Sequence, residues 1–194
     1  MYYSAKYESP LGEIMIAADG TGIVGLWLEG QKYFEDMGDA KATAIAKAEG
    51  FACAESEQSP GAREVLEKAG SWLDRYFNKE EPDIGELPLA PIGSEFRQVV
   101  WQILREIPSG QTTTYGEIAK KVARRMGKKT MSAQAVGGAV GHNPISIIIP
   151  CHRVVGANGS FTGYAGGIDK KIELLKLEGV DTDQFFTPKK GTAL

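Results

Sequence analysis

The run Asn143-Pro144-Ile145-Ser146-Ile147-Ile148-Ile149-Pro150-Cys151-His152-Arg153-Val154-Val155 constrains this chain more than any other stretch. Its isoleucines must be buried, and a β-branched run behind a turn-forming Asn-Pro predicts a short buried strand. Pro150 cannot donate to a ladder, so the strand is expected to stop there and to deliver Cys151 and His152 at its end. A thiol beside an imidazole suits nucleophilic chemistry, because the thiolate is the reactive species and a base must make it. Neighbours on an extended chain point to opposite faces, so the pair needs a backbone turn or a bridging water. The plain alternative is a half-buried cysteine that packs as a small hydrophobe.

Burying such a run takes a real core, and 194 residues with 42% hydrophobic content suffice for one large domain or two small ones. No apolar run reaches membrane-spanning length and the N-terminus lacks a basic-then-apolar signal, which predicts a cytoplasmic protein. Cys53, Cys151, His142 and His152 are too scattered for a zinc-ligand spacing, so no metal or cofactor is expected. Cys53, in Phe51-Ala52-Cys53-Ala54, is expected to serve packing.

Charge is divided unevenly. Residues 1–93 hold 8 Lys/Arg against 17 Asp/Glu, net −9, and residues 94–194 hold 14 against 8, net +6. A basic second half suits a polyanionic partner, and it suits a solvated basic face equally well.

In chain order, Tyr2–Glu8, Glu13–Ala18 and Ile23–Leu28 read as strands of an antiparallel meander, with a hairpin signal at Asp19-Gly20-Thr21-Gly22. Residues 31–58 are charged and Ala-rich and predict loop with some helix. Pro60 to Asn78 predicts a helix with Val65, Leu66, Ala69, Leu73 and Phe77 on one face. Glu80 to Pro91, with its three prolines, reads as a linker with room for one edge strand, and as the domain boundary. This gives domains at 1–91 and 92–180, with a loosely held tail at 181–194.

In the second half Ser94 can cap a helix carrying Phe96, Val99, Val100, Ile103, Leu104 and Ile107. Thr114 with Glu117 forms a capping box for a helix from Tyr115 to about Arg125. A basic connector leads to Ser132, the cap of a helix from Ala133 to about Gly141, and the pair resembles a helix-turn-helix. The second helix carries almost no side chains, and each glycine costs roughly 1 kcal/mol of helix stability against Ala. What it gains is close approach by another backbone, protein or nucleic acid; such a helix can enter a narrow minor groove. After the Cys-His run, Gly156-Ala157-Asn158-Gly159-Ser160 reads as a turn. The loop Phe161-Thr162-Gly163-Tyr164-Ala165-Gly166-Gly167 could wall a pocket with backbone N–H groups. Ile168 to Glu178 is a last amphipathic helix, stopped by Gly179.

Pro150-Cys151-His152-Arg153-Val154, preceded by Asn143-Pro144 and by Ala135-Val136-Gly137-Gly138-Ala139, resembles the methylated-DNA–protein-cysteine methyltransferases, the O6-alkylguanine-DNA alkyltransferases. The resemblance runs from about Ser94 to Gly179 and is looser before that. It implies an α/β protein, a small RNase H-like N-terminal domain followed by a mostly helical domain with a helix-turn-helix. It implies single-turnover, irreversible transfer of an alkyl group from O6 of guanine to Cys151, with O4 of thymine a further candidate. The partner is double-stranded DNA bound through the minor groove, by a monomer able to bind cooperatively, and the damaged base is flipped out of the stack. The implied catalytic residues are Cys151, His152, Glu178 and Asn143: a water relays the thiol proton to His152, Glu178 orients the imidazole, and Asn143 braces the turn. The implied pocket uses Tyr115 near the base, the carbonyls of Val154 and Cys151 for the guanine amine, the Ala165 N–H for O6, and Val140, Tyr164, Gly166 and Gly167 as walls. Thr114, Ala133, Gln134, Ala135, Gly137, Gly138, Arg124, Arg125, Lys128 and Lys129 would meet DNA.

Two departures from the family stand out. Gln134 occupies the position where the family often has an arginine finger, which predicts weaker or more salt-sensitive base flipping. The zinc ligands that some members carry in the N-terminal domain are missing. A lesion-binding sensor without transfer is the alternative function, and members of that class lack the cysteine that this chain has. An unrelated Cys-His hydrolase would leave the helix-turn-helix unexplained.

Overall fold

The computed structural model describes residues 1–37, 52–53 and 60–188. Most of the 31–58 stretch and the side chain of Cys53 lie outside the described residues. Contacts divide the chain into two compact units, Met1–Gly93 with Pro144–Ser146, and Ser94–Asn143 with Ile147–Leu194.

In the first unit β1 (Tyr3–Ser9), β2 (Gly12–Ala18) and β3 (Ile23–Leu28) form the antiparallel meander, in register Tyr3↔Ala18 and Ile14↔Leu28. β4 (Ala52–Cys53) joins parallel to β1, giving the order β3-β2-β1-β4. The hairpin signal works as its residues dictate: Asp19 Oδ1 accepts from the backbone N–H groups of Thr21 and Gly22 and from the Thr21 hydroxyl. Helix α1 (Pro60–Phe77) packs on β1 and β2 through Ala62, Val65, Leu66, Ala69, Leu73 and Tyr76. Every residue of β3 is buried, so Trp27, Val24 and Ala17 form a second apolar cluster with Met37.

The stretch Glu80–Pro91 is pinned rather than loose. Trp72 Nε1 donates to Asp83 O at 3.0 Å, Ile84–Glu86 is a 3-10 turn capped by Asp83, and Leu89 bridges in parallel to Ile23. The same edge of β3 holds Pro144–Ser146: Leu26 N–H donates to Pro144 O at 2.8 Å and Ser146 N–H to Leu26 O at 2.9 Å.

The strand expected from Asn143 to Pro150 does not form. Only Ile145 makes a bridge, opposite Leu26, and residues 146–148 are turn, with Ile147 at φ 67°. The isoleucines fill core on all sides, each 1% exposed or less, so the run was selected for burial rather than for a ladder. A β-branched residue with positive φ costs on the order of 1–3 kcal/mol and persists only where its surroundings over-determine it.

In the second unit α2 (Glu95–Arg105), α3 (Tyr115–Arg125) and α4 (Ala133–Gly141) pack on one another, each with its foreseen cap at Ser94, Thr114 and Ser132. Trp101 Nε1 donates to Ala139 O at 2.9 Å, tying α2 to α4. Two-residue strands β5 (Thr113–Thr114) and β6 (Val154–Val155) pair in parallel, and α5 (Ile168–Leu177) follows, ended by Gly179 at φ 78°. The start of the tail is held, contrary to expectation: Phe161 N–H donates to Phe186 O at 2.8 Å, and Phe185 packs on Val155, Phe161 and Leu175. No helix among the described residues is long and apolar enough to cross a membrane.

Candidate active site

Cys151 lies on a single 3-10 turn, Cys151–Arg153, and not on a strand. Pro150 (φ −81°, ψ 65°) takes the chain out of extended geometry, and Arg153 N–H closes the turn on Pro150 O at 3.1 Å. The objection that adjacent residues diverge on a strand therefore does not apply. Asn143, itself 5% exposed, spans the bend: its Nδ2 donates to Ile149 O at 2.8 Å and to Cys151 Sγ at 3.1 Å. Burial pushes the Cys151 thiol up, and the Asn143 donor and the Lys171 charge offset only part of that rise.

His152 is fully buried. Its Nε2 lies 2.8 Å from Glu178 Oε1, while Nδ1 has no hydrogen-bond partner among the described residues. Burial lowers the imidazole pKa and Glu178 does not restore it, so the resting ring is neutral. A neutral ring that donates from Nε2 carries its lone pair on Nδ1, the atom left for a proton. Glu178 stands at the C-cap of α5, and Arg153 grips it through Nε at 2.8 Å and Nη2 at 2.9 Å. Burial alone would raise this carboxyl, but His152 and Arg153 outweigh it and hold Glu178 well below the usual carboxylate range. Arg153 Nη1 donates further to Ile107 O, which fixes the guanidinium between α2 and the site.

Sequence reasoning missed Lys171. It is fully buried, and Nζ donates to Val154 O at 2.5 Å and Thr162 O at 2.8 Å. Desolvation brings it from 10.5 down to about 8, against the opposing pull of Cys151. The signal was present, because Lys171 stands three and four residues before Leu174 and Leu175, on the apolar stripe of α5. Arg153 was quoted within the motif but given no role.

Of the expected pocket residues, the structure places Tyr115 and Tyr164 next to Cys151 and His152. The Tyr115 hydroxyl lies 3.1 Å from Thr162 O and 3.4 Å from Gly163 O, and burial raises it to about 12. Gly163 (φ 65°) must be glycine, since a Cβ there would stand 2.7 Å from that hydroxyl. Val154 O, expected to meet a guanine amine, already accepts from Lys171 and retains one lone pair. Tyr164 is buried edge-on to His152, with ring centroids 6.4 Å apart; Val140 is buried; Ala165 and Gly166 lie half-buried in the turn before α5.

On the outer face of α4, Ala133, Gln134, Ala135 and Gly138 are exposed, and Gly137 lies over the Tyr115 ring. A Cβ at Gly138 would meet nothing within 4 Å, so packing within the protein does not explain that glycine. Arg124, Lys128 and Lys129 are exposed and, with Lys120, line a groove of about 360 Å³. Arg125 is paired with Glu106, and the Thr114 side chain is engaged in its capping box.

Sequence comparison agrees with this geometry. Residues 95–180 match the family described as 6-O-methylguanine DNA methyltransferase, DNA binding domain, and residues 1–91 match its ribonuclease-like domain. A methylated-DNA–protein-cysteine methyltransferase of Methanosarcina acetivorans is 43% identical, over 92% of this chain and 99% of its own. One from Haemophilus influenzae is 37% identical over 93% and 87%. The crystal structure of Mycobacterium tuberculosis O6-methylguanine methyltransferase superposes with a TM-score of 0.70 at 35% identity, covering 98% of this chain and 97% of that one. A Mycobacterium tuberculosis relative crystallised in complex with DNA gives 0.68 at 35% identity, covering 95% and 94%. With both halves matched in order and a buried cysteine–histidine–glutamate constellation at the matching motif, this chain belongs to the 6-O-methylguanine-DNA methyltransferase family.

Proposed function

We propose that the protein repairs DNA by moving an alkyl group from O6 of guanine to Cys151, once per chain. The observation that carries this reading is the polarity of the buried His152–Glu178 pair: Glu178 accepts from His152 Nε2, which leaves Nδ1 as the free proton acceptor on the residue next in sequence to the buried Cys151. In the reaction His152 Nδ1 takes the thiol proton through a bridging water, the sulfur attacks the O6-bound carbon, and the C–O6 bond breaks. The electron pair stays on guanine, which takes up a proton and leaves as the normal base. The product is a thioether, and nothing at the site would regenerate a thiol from it. Asn143 steadies the sulfur as charge develops on it, the role of a preplaced donor.

The DNA reading rests on the outer face of α4. Small exposed residues and a glycine unexplained by internal packing suit close approach to a minor groove, and Arg124, Lys128 and Lys129 supply cations for phosphates. The target base must leave the stack for its O6 carbon to reach Cys151. Gln134 then stands where the vacated space must be filled, without a charge of its own. Tyr164, Ala165 and Gly166 wall the receiving pocket, and the Ala165 N–H is offered to O6. The test is nucleoside analysis of a duplex carrying one O6-methylguanine after mixing with the protein. Guanine should replace O6-methylguanine up to one equivalent per chain. Continued conversion beyond one equivalent, or unchanged lesion with bound protein, would reject this mechanism.

A further inference from the structure

The loop that walls the pocket, from Gly156 to Gly167, leaves β6 and enters α5 with little regular structure of its own. Three internal bonds shape its first half: Gly156 N–H to Ser160 O at 2.9 Å, Gly159 N–H to Gly156 O at 2.9 Å, and Ser160 N–H to Asn158 Oδ1 at 3.2 Å. Its middle is fastened from outside. Phe186 takes both free groups flanking Ser160: its carbonyl accepts from Phe161 N–H at 2.8 Å, and its N–H donates to Gly159 O at 3.1 Å. Phe161 is 3% exposed, so its N–H is shielded from water and the Phe186 carbonyl supplies its partner. The Phe185 ring lies 5.2 Å from the Phe161 ring and joins the cluster of Val155, Phe161 and Leu175.

The approach to these residues is itself built. Asp183 N–H and Gln184 Nε2 bond to Asp181, and Phe185 N–H closes a turn on Thr182 O. This segment lies past residue 180, where the match to the family's DNA-binding domain ends.

We infer that Asp181–Phe186 is a strap that positions the pocket wall, with Phe185 as its key side chain. By fixing Phe161, the strap sets where Thr162 presents its carbonyl to Tyr115 and Lys171 and where Ala165 presents its N–H. The inference rests on the alkyl-transfer reading, with Phe185 a positioning residue that does not touch the base. Phe186 contributes through its backbone, being 48% exposed as a residue.

Two measurements on the full chain test it. Amide exchange without DNA reads the strap alone: Phe185→Ala should speed exchange at Phe161 and through Ala165. Single-turnover kinetics at saturating methylated DNA then read its consequence. Phe185→Ala should slow transfer about 10- to 100-fold, the usual effect of a small misplacement of reacting groups, with DNA affinity within about twofold. Phe185→Leu should recover most of the rate, and Phe186→Ala should match the unsubstituted protein. Unchanged exchange at Phe161 in Phe185→Ala overturns the strap whatever the chemistry does. Faster exchange with an unchanged rate, or a loss of affinity in step with the rate, overturns the positioning role. Failure of the unsubstituted chain to transfer would reject the reaction itself, and the exchange result would still stand or fall separately.

Discussion

Glu178 Oε1 accepts from both His152 and Arg153 while Oε2 accepts from Arg153 alone, and this shared grip sets the protonation of the whole site. The arginine carries the compensating charge, so the histidine can remain neutral and keep its Nδ1 lone pair. Replacing His152 with Ala removes the base and should slow alkyl transfer about 10²- to 10⁴-fold, the range for a general base, measured under single turnover. DNA affinity should be unaffected. Because burial lowers the imidazole from its ordinary 6.5, the base is lost only as pH falls through that lower value. The rate should therefore hold steady as pH drops from 8 through 6.5 and decline only below; a midpoint at or above 6.5 would contradict a neutral buried ring. Lys171 makes a second pH statement. Its folded value of about 8 lies beneath 10.5, so the folded state drops a proton first, and relative stability rises as pH climbs from about 8 toward 10.5. The size is about 3 kcal/mol at most, from 1.36 kcal/mol per unit. Denaturant titrations at pH 7.5 and 10 should show a more favourable change in the native chain than in Lys171→Met, since methionine has nothing to titrate and the opposing effect of the raised Cys151 thiol is present in both.

Among the elements, α4 is where the proposed DNA contact and local helix stability pull in opposite directions. Gly138 is exposed, inside a helix and free of any contact that a Cβ would disturb. Gly138→Ala should raise stability by up to about 1 kcal/mol through helix propensity while weakening DNA binding. A thermal melt and a binding titration on one sample decide it, and tighter or equal binding would remove the case for a close backbone approach. At its neighbour, Gln134→Arg should raise the repair rate, and no gain would count against Gln134 as an uncharged gap filler. The caps of α2, α3 and α4 were legible because capping is local: Ser94, Thr114 with Glu117, and Ser132 each satisfy donors within three residues. The segment before Cys151 was misread because a β-branched run has the same composition whether it pairs in a ladder or fills a core around a bend. Nothing local announces the left-handed Ile147, which depends on Leu26 holding Pro144 and Ser146.

At the scale of the whole chain, the net charge is −9 over residues 1–93 and +6 over residues 94–194, so the cations gather in the half that matches the family's DNA-binding domain. Each phosphate contact contributes about 0.9 to the slope of log affinity against log salt. Replacing Arg124, Lys128 and Lys129 together with Ala should flatten that slope by up to about 3. Arg125 spends its charge on Glu106 and should contribute less when replaced alone. Cys151, His152 and Glu178 could be singled out from the sequence because a compact motif and the family resemblance mark them, and the structure sets His152 2.8 Å from Glu178. Lys171 was marked by its place on the apolar stripe of α5, but its partners Val154 and Thr162, like the Phe185–Phe161 ring contact, are brought together only by the folded chain. In the proposed reaction Cys151 ends as a thioether. Intact mass after mixing with an oligonucleotide bearing one O6-methylguanine should rise by one CH2 unit per chain, map to Cys151, and stay unchanged in Cys151→Ala. Binding without any gain in mass, or a gain at another residue, would contradict the account.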